Sequence, residues 1–412
     1  MEVVALVDPA GGPGEDFKQA AKELGLKIIG VFSRPFSIYE AIYHVDEAFL
    51  TQGCHEVIVG KEKEEVLGIL KRHSVKAVIA VTDSGVEWAD QIAHSLGLWG
   101  NDIAYSEARR NKGEMRKTLK AAGLPYPAFA ECYTPEQVSQ FAKNHSFPLV
   151  IKTPKGGGTS QVFVCEDLEN LMQSFHQICG QKDLYGLQAD HALLEEYIGG
   201  KEYIVDTFSD GENVHVTDIW VYDKIDSAHF KNIYYNAYTL PLDEPSMQPL
   251  IHQAIKVAKA FRIQRGAAHI ELKDDPVRGP TLIEVGARVV GSGFAKLIKK
   301  YTNFPLHWLT IEVFVHGKVT VPHPILYKKH LAVCFCPVFE KGRIEKMMGI
   351  EQIQQLDSYE FHALNVKRGD FISPTTDLTT VPLVVYLAHS SRAQIQADLL
   401  SIHAFFQLEV TE

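Results

Sequence analysis

The sequence predicts a multidomain protein that combines an α/β domain with α+β parts. Residues 1–108 alternate short apolar strand runs with helical patterns, as in parallel βαβ units. Between residues 266 and 293, two runs with period-two alternation flank the turn-rich segment DDPVRGP, which is typical of an antiparallel hairpin. A chain of 412 residues with 46% hydrophobic content is long enough for two or three domains.

Three domains are predicted from the order of these patterns. Residues 1–108 indicate a Rossmann-like domain with a parallel sheet, because the runs VVALV, KIIGVF, EVIVG and AVIAVT are each followed by a helical pattern. Residues 109–315 contain further strands, a glycine loop and the hairpin at 266–293. Residues 316–412 predict a small C-terminal α/β subdomain that closes with a strand, a helix and a strand.

A glycine-rich segment follows the first predicted strand. Gly11-Gly12-Pro13-Gly14 resembles half of a dinucleotide-binding fingerprint, but a proline interrupts it and no acidic residue is placed to bind a ribose. We therefore interpret it as a tight turn before a helix that begins at Asp16.

Composition and charge exclude several classes of function. The net charge is −10 and no long run of Lys or Arg occurs, which argues against nucleic acid or an anionic membrane as the main partner. The six cysteines lack CxxC spacing, so the sequence indicates neither a zinc site nor a disulfide framework. With no basic leader and no apolar stretch of 18 residues, a cytoplasmic protein is expected.

The hairpin at 266–293 carries the most informative acidic residues. His269 and Glu271 share one face of the first strand, and a symmetric hairpin would place Glu271 opposite Glu284. Two carboxylates so close would repel each other, and a cation between them removes the conflict. Mg²⁺ prefers such oxygen ligands. Arg288 follows four residues after Glu284 and offers a planar, permanently charged donor group.

Two further segments have features of a nucleotide site. Lys152 ends an apolar strand and is followed by KGGGTS at 155–160, where backbone N–H groups and a lysine could bind phosphate. Taken alone, a flexible turn with a solvated lysine explains this segment equally well. The segment EEYIGGKE at 195–202 offers carboxylates around a glycine turn, although charged residues at a turn are usually a solvated edge.

The order of these segments resembles the ATP-grasp superfamily from about residue 70 to residue 300. A lysine on a helix, a strand lysine with a glycine loop, EEYIGGKE, HIE and EVGAR follow one another. Within that superfamily, the chain is most similar to carboxylate-amine ligases typified by bacterial L-amino acid ligases. The segments that carry this similarity are GVEWADQIAHSLGL, RRNKGEMRKTLKAAGLPYPAF and IEVGARVVGSG. The resemblance implies an ATP-grasp fold with a moving lid at roughly 125–200, and ATP with Mg²⁺ or Mn²⁺ as cofactors.

The resemblance also implies a set of nucleotide-binding residues. Lys112 and Lys152 would contact the phosphates of ATP. Glu195 would accept from the adenine amino group, Ile198 would donate its backbone N–H to the ring, and Glu202 would hold the ribose. The other implied positions are Gly156, Gly157, Gly158, Thr159 and Ser160 over the phosphates, Tyr197, and Glu271 and Glu284 as ligands of the metal ion.

Three residues are implied to take part in the chemistry. Arg288 would face the acyl group and stabilise an oxyanion, and Lys152 would neutralise charge on the transferring phosphoryl group. His269 would orient the acyl phosphate or the incoming amine. Gly286 departs from the family pattern, because most relatives carry a metal-binding Asn there, and this leaves one or two metal ions open.

The activity implied is that of an ADP-forming ligase that joins a small carboxylate and an amine, such as two amino acids, through an acyl phosphate. Two alternatives stay open: a biotin-carboxylase-like or purine-pathway-like enzyme that uses another carboxylate or bicarbonate, and a nucleotide-binding protein without activity. A homodimer is the default expectation. Specificity is expected to depend on the loops 8–14, 82–87 and 289–294 and on the segment 229–238.

Overall fold

The computed structural model describes residues 2–158, 160–183, 185–226, 232–291 and 293–411. Within these residues the chain forms four β-sheets with α-helices packed around them, which confirms the predicted mixed fold class. None of the helices in the described residues combines the length and the apolar character that crossing a membrane requires.

The N-terminal part alternates strands and helices. Its elements are β1 Val3–Val7, α1 Gly11–Glu23, β2 Lys27–Phe32, α2 Phe36–Tyr43, α3 Glu47–Thr51, β3 Glu56–Val59, α4 Lys63–Arg72, β4 Ala77–Ala80, a 3₁₀ turn Asp83–Gly85 and α5 Val86–Ser95. The four strands form a parallel sheet in the order β3-β2-β1-β4, as predicted. Because the carboxyl ends of parallel strands meet at one edge, the loops after β1 and β4 lie side by side.

The start of α1 corrects one prediction. The helix begins at Gly11, so the predicted start at Asp16 is wrong and the glycine segment forms the first turn. Proline is tolerated there because N–H groups in the first turn have no partner within the helix, and this explains Pro13. A side chain at Gly14 would overlap the carbonyl oxygen of Pro9, so this close approach requires glycine.

The segment predicted to form a lid is a separate small sheet covered by two helices. The helix α6, Lys112–Ala121, leads into it and is capped by Asn111, whose side chain accepts from the N–H groups of Gly113 and Glu114. The lid elements are β5 Phe129–Cys132, α7 Pro135–Lys143, β6 Leu149–Lys152, β7 Val162–Cys165, α8 Leu168–Gly180 and β8 Ala192–Glu196. The strand order β5-β8-β6-β7 is antiparallel throughout.

The rest of the chain builds an eight-stranded antiparallel sheet and a small three-stranded one. The elements are β9 Glu202–Asp210, β10 Val214–Ile225, β11 Ile233–Thr239, α9 Gln248–Ala260, β12 Arg265–Asp275, β13 Gly279–Gly286, α10 Phe294–Tyr301, α11 Leu306–His316, β14 His330–Cys336, β15 Gly342–Met348, α12 Ile350–Gln354, β16 Tyr359–Leu364, β17 Phe371–Ile372, β18 Leu383–His389, α13 Arg392–Phe405 and β19 Gln407–Thr411. The large sheet has the order β13-β12-β9-β10-β11-β14-β18-β16, and the small sheet the order β17-β15-β19. Strands of the predicted C-terminal subdomain therefore continue the sheet that contains the hairpin.

One apolar core fastens the N-terminal part to the large sheet. Leu6 of β1 and Phe17 of α1 are buried in the same cluster as Trp220 of β10 and Phe294 and Leu297 of α10. Burial of these side chains stabilises the contact by about 25 cal/mol for each Å² of apolar surface removed from water. The contact holds the loops of the parallel sheet beside the hairpin.

A buried histidine lies in this interface. The His307 ring contacts the ring of Phe17 edge to face at 4.9 Å, and neither ring nitrogen has a hydrogen-bond partner among the described residues. Burial lowers the pKa of His307 from 6.5 to about 3, and the nearby Lys299 and Lys296 add to this effect. Because the unfolded chain takes up this proton first, stability is complete above pH 6.5 and is lost as the pH falls towards 3.

We expect His307→Leu to remove this acid sensitivity. The free energy of unfolding of the variant, relative to the unaltered protein, should rise by roughly 1 kcal/mol for each pH unit below 6.5. Urea unfolding at pH 7.5, 6 and 5 measures the difference. His316→Leu, at the exposed end of the same helix, is the matched control. A constant difference across this pH range would contradict the prediction.

Candidate active site

A cavity of about 560 Å³ opens between the N-terminal sheet, the lid, the large sheet and the C-terminal strands. This size is within the range of small-molecule sites. The predicted site residues that the structure describes all line it, while Thr159 lies outside the described residues. They are Lys112, Lys152, Gly156, Gly157, Gly158, Ser160, Glu195, Tyr197, Ile198, Glu202, His269, Glu271, Glu284 and Arg288.

The hairpin of β12 and β13 places two carboxylates opposite each other. Its register pairs Glu271 with Glu284, which confirms the predicted pairing. The repulsion between them is reduced by cations on either side: Lys112 Nζ lies 2.9 Å from Glu284 Oε1, and His269 Nε2 lies 3.5 Å from Glu271 Oε1. Two carboxylates that face one cavity form a donor set that fits Mg²⁺ or Mn²⁺.

His269 is held as a cation. Its Nδ1 lies 2.8 Å from Asp206 Oδ1 on the neighbouring strand β9. Burial alone would lower the pKa of His269, but the charge and hydrogen bond of Asp206 and the hydrogen bond to Glu271 raise it to about 10. These contacts favour the protonated form of the imidazole over the neutral form.

Lys152 belongs to a buried ion-pair network. Lys152 Nζ lies 2.7 Å from Glu195 Oε2, and Arg116 donates to Glu195 Oε1 at 2.6 Å and to Oε2 at 3.2 Å. Burial lowers the pKa of Lys152 to about 8, although Glu195 opposes this shift. Glu195 therefore positions Lys152, and its predicted role as adenine acceptor stays a prediction.

Glu202 lines the same cavity and is connected to Ile198 through Lys273. Its Oε1 accepts from Lys224 Nζ at 2.7 Å, and its Oε2 lies 3.9 Å from Lys273 Nζ. Against the effect of burial, these two lysines keep the pKa of Glu202 below its ordinary value. Lys273 also donates to the carbonyl of Ile198 at 3.2 Å. The lysine thus fixes the position of the Ile198 backbone relative to the carboxylate.

Basic side chains from the start of α6 hold the glycine loop. Arg110 donates to the carbonyls of Gly156 and Lys155 at 2.9 and 2.8 Å, and Lys112 donates to Gly156 at 3.1 Å. From the C-terminal part, Leu378 N–H donates to the carbonyl of Gly158 at 3.3 Å. The loop therefore bridges three parts of the chain above the cavity.

Arg288 is oriented by the N-terminal sheet. Its Nε and Nη2 donate to the two oxygens of Asp83 at 2.9 and 2.8 Å, in the loop after β4. Against the effect of burial, Arg288 and Arg110 hold the pKa of Asp83 well below its usual range. Such a bidentate pair fixes the guanidinium plane as well as its position.

The Asp83–Arg288 pair gives a physical reason for glycine at position 286. A Cβ atom there would lie 2.8 Å from Asp83 Oδ1 and 3.6 Å from Arg288 Nε. An Asn side chain, which the family pattern favours at this position, would have to displace the ion pair. In this chain Asp83 therefore occupies the space that a third metal-binding side chain would need.

The segments predicted to set substrate specificity reach the cavity wall. The loops 8–14, 82–87 and 289–294 all contribute, and so does the segment 229–238. Residues 229–231 and Ser292 lie outside the described residues. The contributing residues are Gly12, Pro13, Thr82, Asp83, Asn232, Tyr234, Val289, Val290, Gly291, Gly293 and Phe294.

Several functional residues were missed by sequence reasoning because their partners are distant in the chain. Arg110 could have been found from the sequence, since it lies two positions before Lys112 in the segment RRNK. The others are Asp83, Arg116, Asp206, Lys224 and Lys273, which are separated by up to 205 residues from the groups that they bind.

Comparison with known proteins identifies the fold. A family model described as an ATP-grasp domain matches residues 145–296. The solved L-amino acid ligase of Bacillus licheniformis superimposes with a TM-score of 0.80 at 20% identity, covering 100% of this chain and 99% of that one. The chain therefore contains an ATP-grasp domain and has the ATP-grasp fold, as predicted.

Curated relatives resemble the chain over almost its whole length. Dapdiamide A synthase of Enterobacter agglomerans is 26% identical over 408 residues, which is 97% of this chain and 95% of that protein. The L-arginine-specific L-amino acid ligase of Bacillus subtilis is 23% identical over 407 residues, or 96% and 95% of the two chains. The predicted likeness to amino acid ligases is thus confirmed.

The pKa of Lys152 leads to a testable pH dependence. Because the cationic form binds phosphate oxygens, kcat/KM for ATP should fall as the pH rises through about 8. Lys152→Arg should flatten this limb, since a guanidinium keeps its charge, even if the rate itself is lower. Lys120→Arg, exposed on the same helix as Lys112, is the control. An unchanged alkaline limb in Lys152→Arg would assign the titration to another group.

The space at position 286 leads to a second prediction. Gly286→Asn should push Asp83 off Arg288 and lower kcat/KM by about 10- to 100-fold while the chain stays folded. Asp83→Ala removes the same ion pair, so the double variant should lose little more than either single variant. Gly180→Ala, where a Cβ meets no atom within 4 Å, is the control. Fully additive losses would show that Gly286→Asn acts independently of the ion pair, and full activity of both single variants would show that the pair does not matter.

Proposed function

We propose that this protein is an ATP-dependent, ADP-forming ligase that joins a small carboxylate to an amine, with amino acids as substrates. The observation that carries the proposal is the pairing of Glu271 with Glu284 beside Lys112, in the cavity that also contains Arg288. The full-length similarity to a dapdiamide A synthase and to an L-arginine-specific L-amino acid ligase supports amino acids as the substrate class.

The nucleotide would extend from Glu202 to the carboxylate pair. Glu202 and Ile198 both line the cavity, and the carboxylate and the backbone N–H suit the ribose and the adenine ring. Lys112 and Lys152 would bind the phosphates beneath the loop that begins at Gly156. When bound by Glu271 and Glu284, Mg²⁺ would neutralise charge on the transferring phosphoryl group.

The proposed reaction has two steps. An oxygen of the substrate carboxylate attacks the γ-phosphorus, the bond to the bridging oxygen of ADP breaks, and an acyl phosphate forms. The amine nitrogen then attacks the acyl carbon, the bond to phosphate breaks, and the departing phosphate takes up the proton that the amine loses. Phosphorylation is needed because a free carboxylate is a poor acyl donor.

Two side chains would act on the acyl carbon during the second step. Arg288, held in one orientation by Asp83, would donate hydrogen bonds to the oxyanion of the tetrahedral intermediate. His269, whose Nδ1 is held by Asp206, would donate from Nε2 to an oxygen of the acyl phosphate. This assignment keeps His269 as an orienting group, in agreement with the sequence prediction.

The walls near Arg288 would select the substrates. Tyr43 and Tyr185 line the cavity, as do Tyr386 and His362 from the C-terminal strands. We propose that these side chains contact the acid and the amine. The mixture of aromatic and charged groups suits amino acids better than a bicarbonate ion.

The test is coupled release of ADP and product. With ATP, Mg²⁺ and amino acid mixtures, the protein should form ADP and an amide bond in equal amounts. Glu271→Gln and Glu284→Gln should lower both by about 100-fold or more, because each loses one charged oxygen ligand. Asp274→Asn, exposed on the same strand as Glu271, should leave both unchanged.

Other outcomes discriminate the alternatives. ATP turnover that requires bicarbonate and ignores amino acids would favour the carboxylase-like enzyme. Mg²⁺-dependent ATP binding without turnover on any carboxylate would favour a nucleotide-binding protein without activity. Either result would overturn the proposed ligase function, whereas equal ADP and amide yields exclude both.

A further inference from the structure

Two cysteines lie on the face of β14 that points away from the cavity. Phe335 lines the cavity, so its neighbours Cys334 and Cys336 project from the opposite face of the strand. There they are fully buried, in the core formed with α13. The nucleotide site and its carboxylate pair are thus on the other side of the sheet.

His403 of α13 completes a cluster of three metal-ligating groups. Its Nε2 lies 3.2 Å from Cys334 Sγ, and the ligand atoms of Cys334, Cys336 and His403 all lie within 4.8 Å of one another. Ligands bonded tetrahedrally to one zinc ion at about 2.0 to 2.3 Å lie about 3.3 to 3.8 Å apart. To hold one ion, the most widely separated ligand atoms of the cluster would therefore have to approach each other by about 1 Å.

The imidazole is held in place from strand β11. Tyr235 stacks on it with ring centroids 3.5 Å apart and an interplanar angle of 5°, and Asn236 Oδ1 lies 3.0 Å from Nε2. Tyr235 and Asn236 are adjacent in the chain, and both contact the ring of His403. They can do so because the register of the β10–β11 ladder shifts at this point. Asn236 also pairs with Cys334 across the ladder. Two sulfurs, one nitrogen and one amide oxygen thus converge.

We propose that Cys334, Cys336 and His403 bind one zinc ion, with Asn236 Oδ1 or a water as the fourth ligand. Thiolate and imidazole groups favour Zn²⁺ over Mg²⁺, which prefers oxygen. Two thiolates also cancel the charge of the ion, so the complex is neutral and suits an apolar core. The ion would stabilise the packing of α13 against β14. It would take no part in the reaction in the cavity.

Sequence reasoning found no zinc motif, and the reason is visible in the fold. Cys334 and Cys336 have CxC spacing, and the third group follows 67 residues later. A strand with period two places both sulfurs on one side, which a CxxC pattern on a strand would not do. The prediction that the cysteines indicate no zinc site is therefore replaced by this proposal.

The test uses cobalt(II) as a spectroscopic probe of the full-length protein. Saturating Mg²⁺ is present, so that the oxygen ligands of the cavity do not bind the probe. We expect one equivalent of cobalt to give a thiolate-to-cobalt charge-transfer band, which one equivalent of Zn²⁺ removes. Cys336→Ser and His403→Gln should lose the band. Cys132→Ser, a buried cysteine of the lid, should keep it.

A second measurement covers the case in which Cys336→Ser does not fold. His403 is partly exposed, so His403→Gln is expected to fold. Zinc should raise the Tm of the unaltered protein and leave that of His403→Gln unchanged. The absence of a sulfur band in the folded protein, or a band that persists in His403→Gln, would overturn the proposal. Ligase activity plays no part in these readings, so the zinc site and the proposed function can fail separately.

Discussion

The site depends on the repulsion between two carboxylates that the hairpin holds opposite each other. The backbone register fixes Glu271 and Glu284 on adjacent strands, so neither can move away without disturbing the sheet. The surrounding cations follow from this constraint. Lys112 contacts one carboxylate and the protonated His269 contacts the other, and Asp206 in turn supplies the negative charge that keeps His269 protonated. A divalent cation bound by Glu271 and Glu284 would neutralise part of their charge. Lys112 would then be available to bind a phosphate.

The N-terminal sheet supplies the second constraint, which acts on Arg288. At the end of β1, Asp8 accepts hydrogen bonds from Ser33, Tyr39 and Ser84, so it ties together the loops at the carboxyl edge of the sheet. The tied loop contains Asp83, the carboxylate that orients the guanidinium. A chain of contacts therefore runs from the centre of the parallel sheet to Arg288, which lines the cavity. The parallel sheet thus orients a cavity side chain, although in the proposed function it binds no nucleotide.

The features that the sequence predicted correctly depend on residues that are close together in the chain. The hairpin, its carboxylate pair and the parallel sheet follow from period-two alternation and from strand and helix order, which short windows contain. The first turn of α1 was misjudged, because glycine and proline are typical of loops and the close approach of Gly14 to Pro9 is visible only in three dimensions. The ion pairs of Glu195 with Arg116 and of Arg288 with Asp83 join residues 79 and 205 positions apart. Their pairing depends on tertiary packing, which periodicity does not encode.

The C-terminal strands link the substrate wall to the rest of the fold. Because β14 pairs with β11, the large sheet continues from the carboxylate pair to β18 and β16 without a break. One face of this extension presents Phe335 and Tyr386 to the cavity, while the other packs against α13. A change in the packing of α13 would therefore shift Phe335 and Tyr386 on the cavity wall, although none of the residues of α13 lines the cavity. In the proposed function, this far end of the sheet would adapt to different substrates while the residues proposed to bind the nucleotide stay constant.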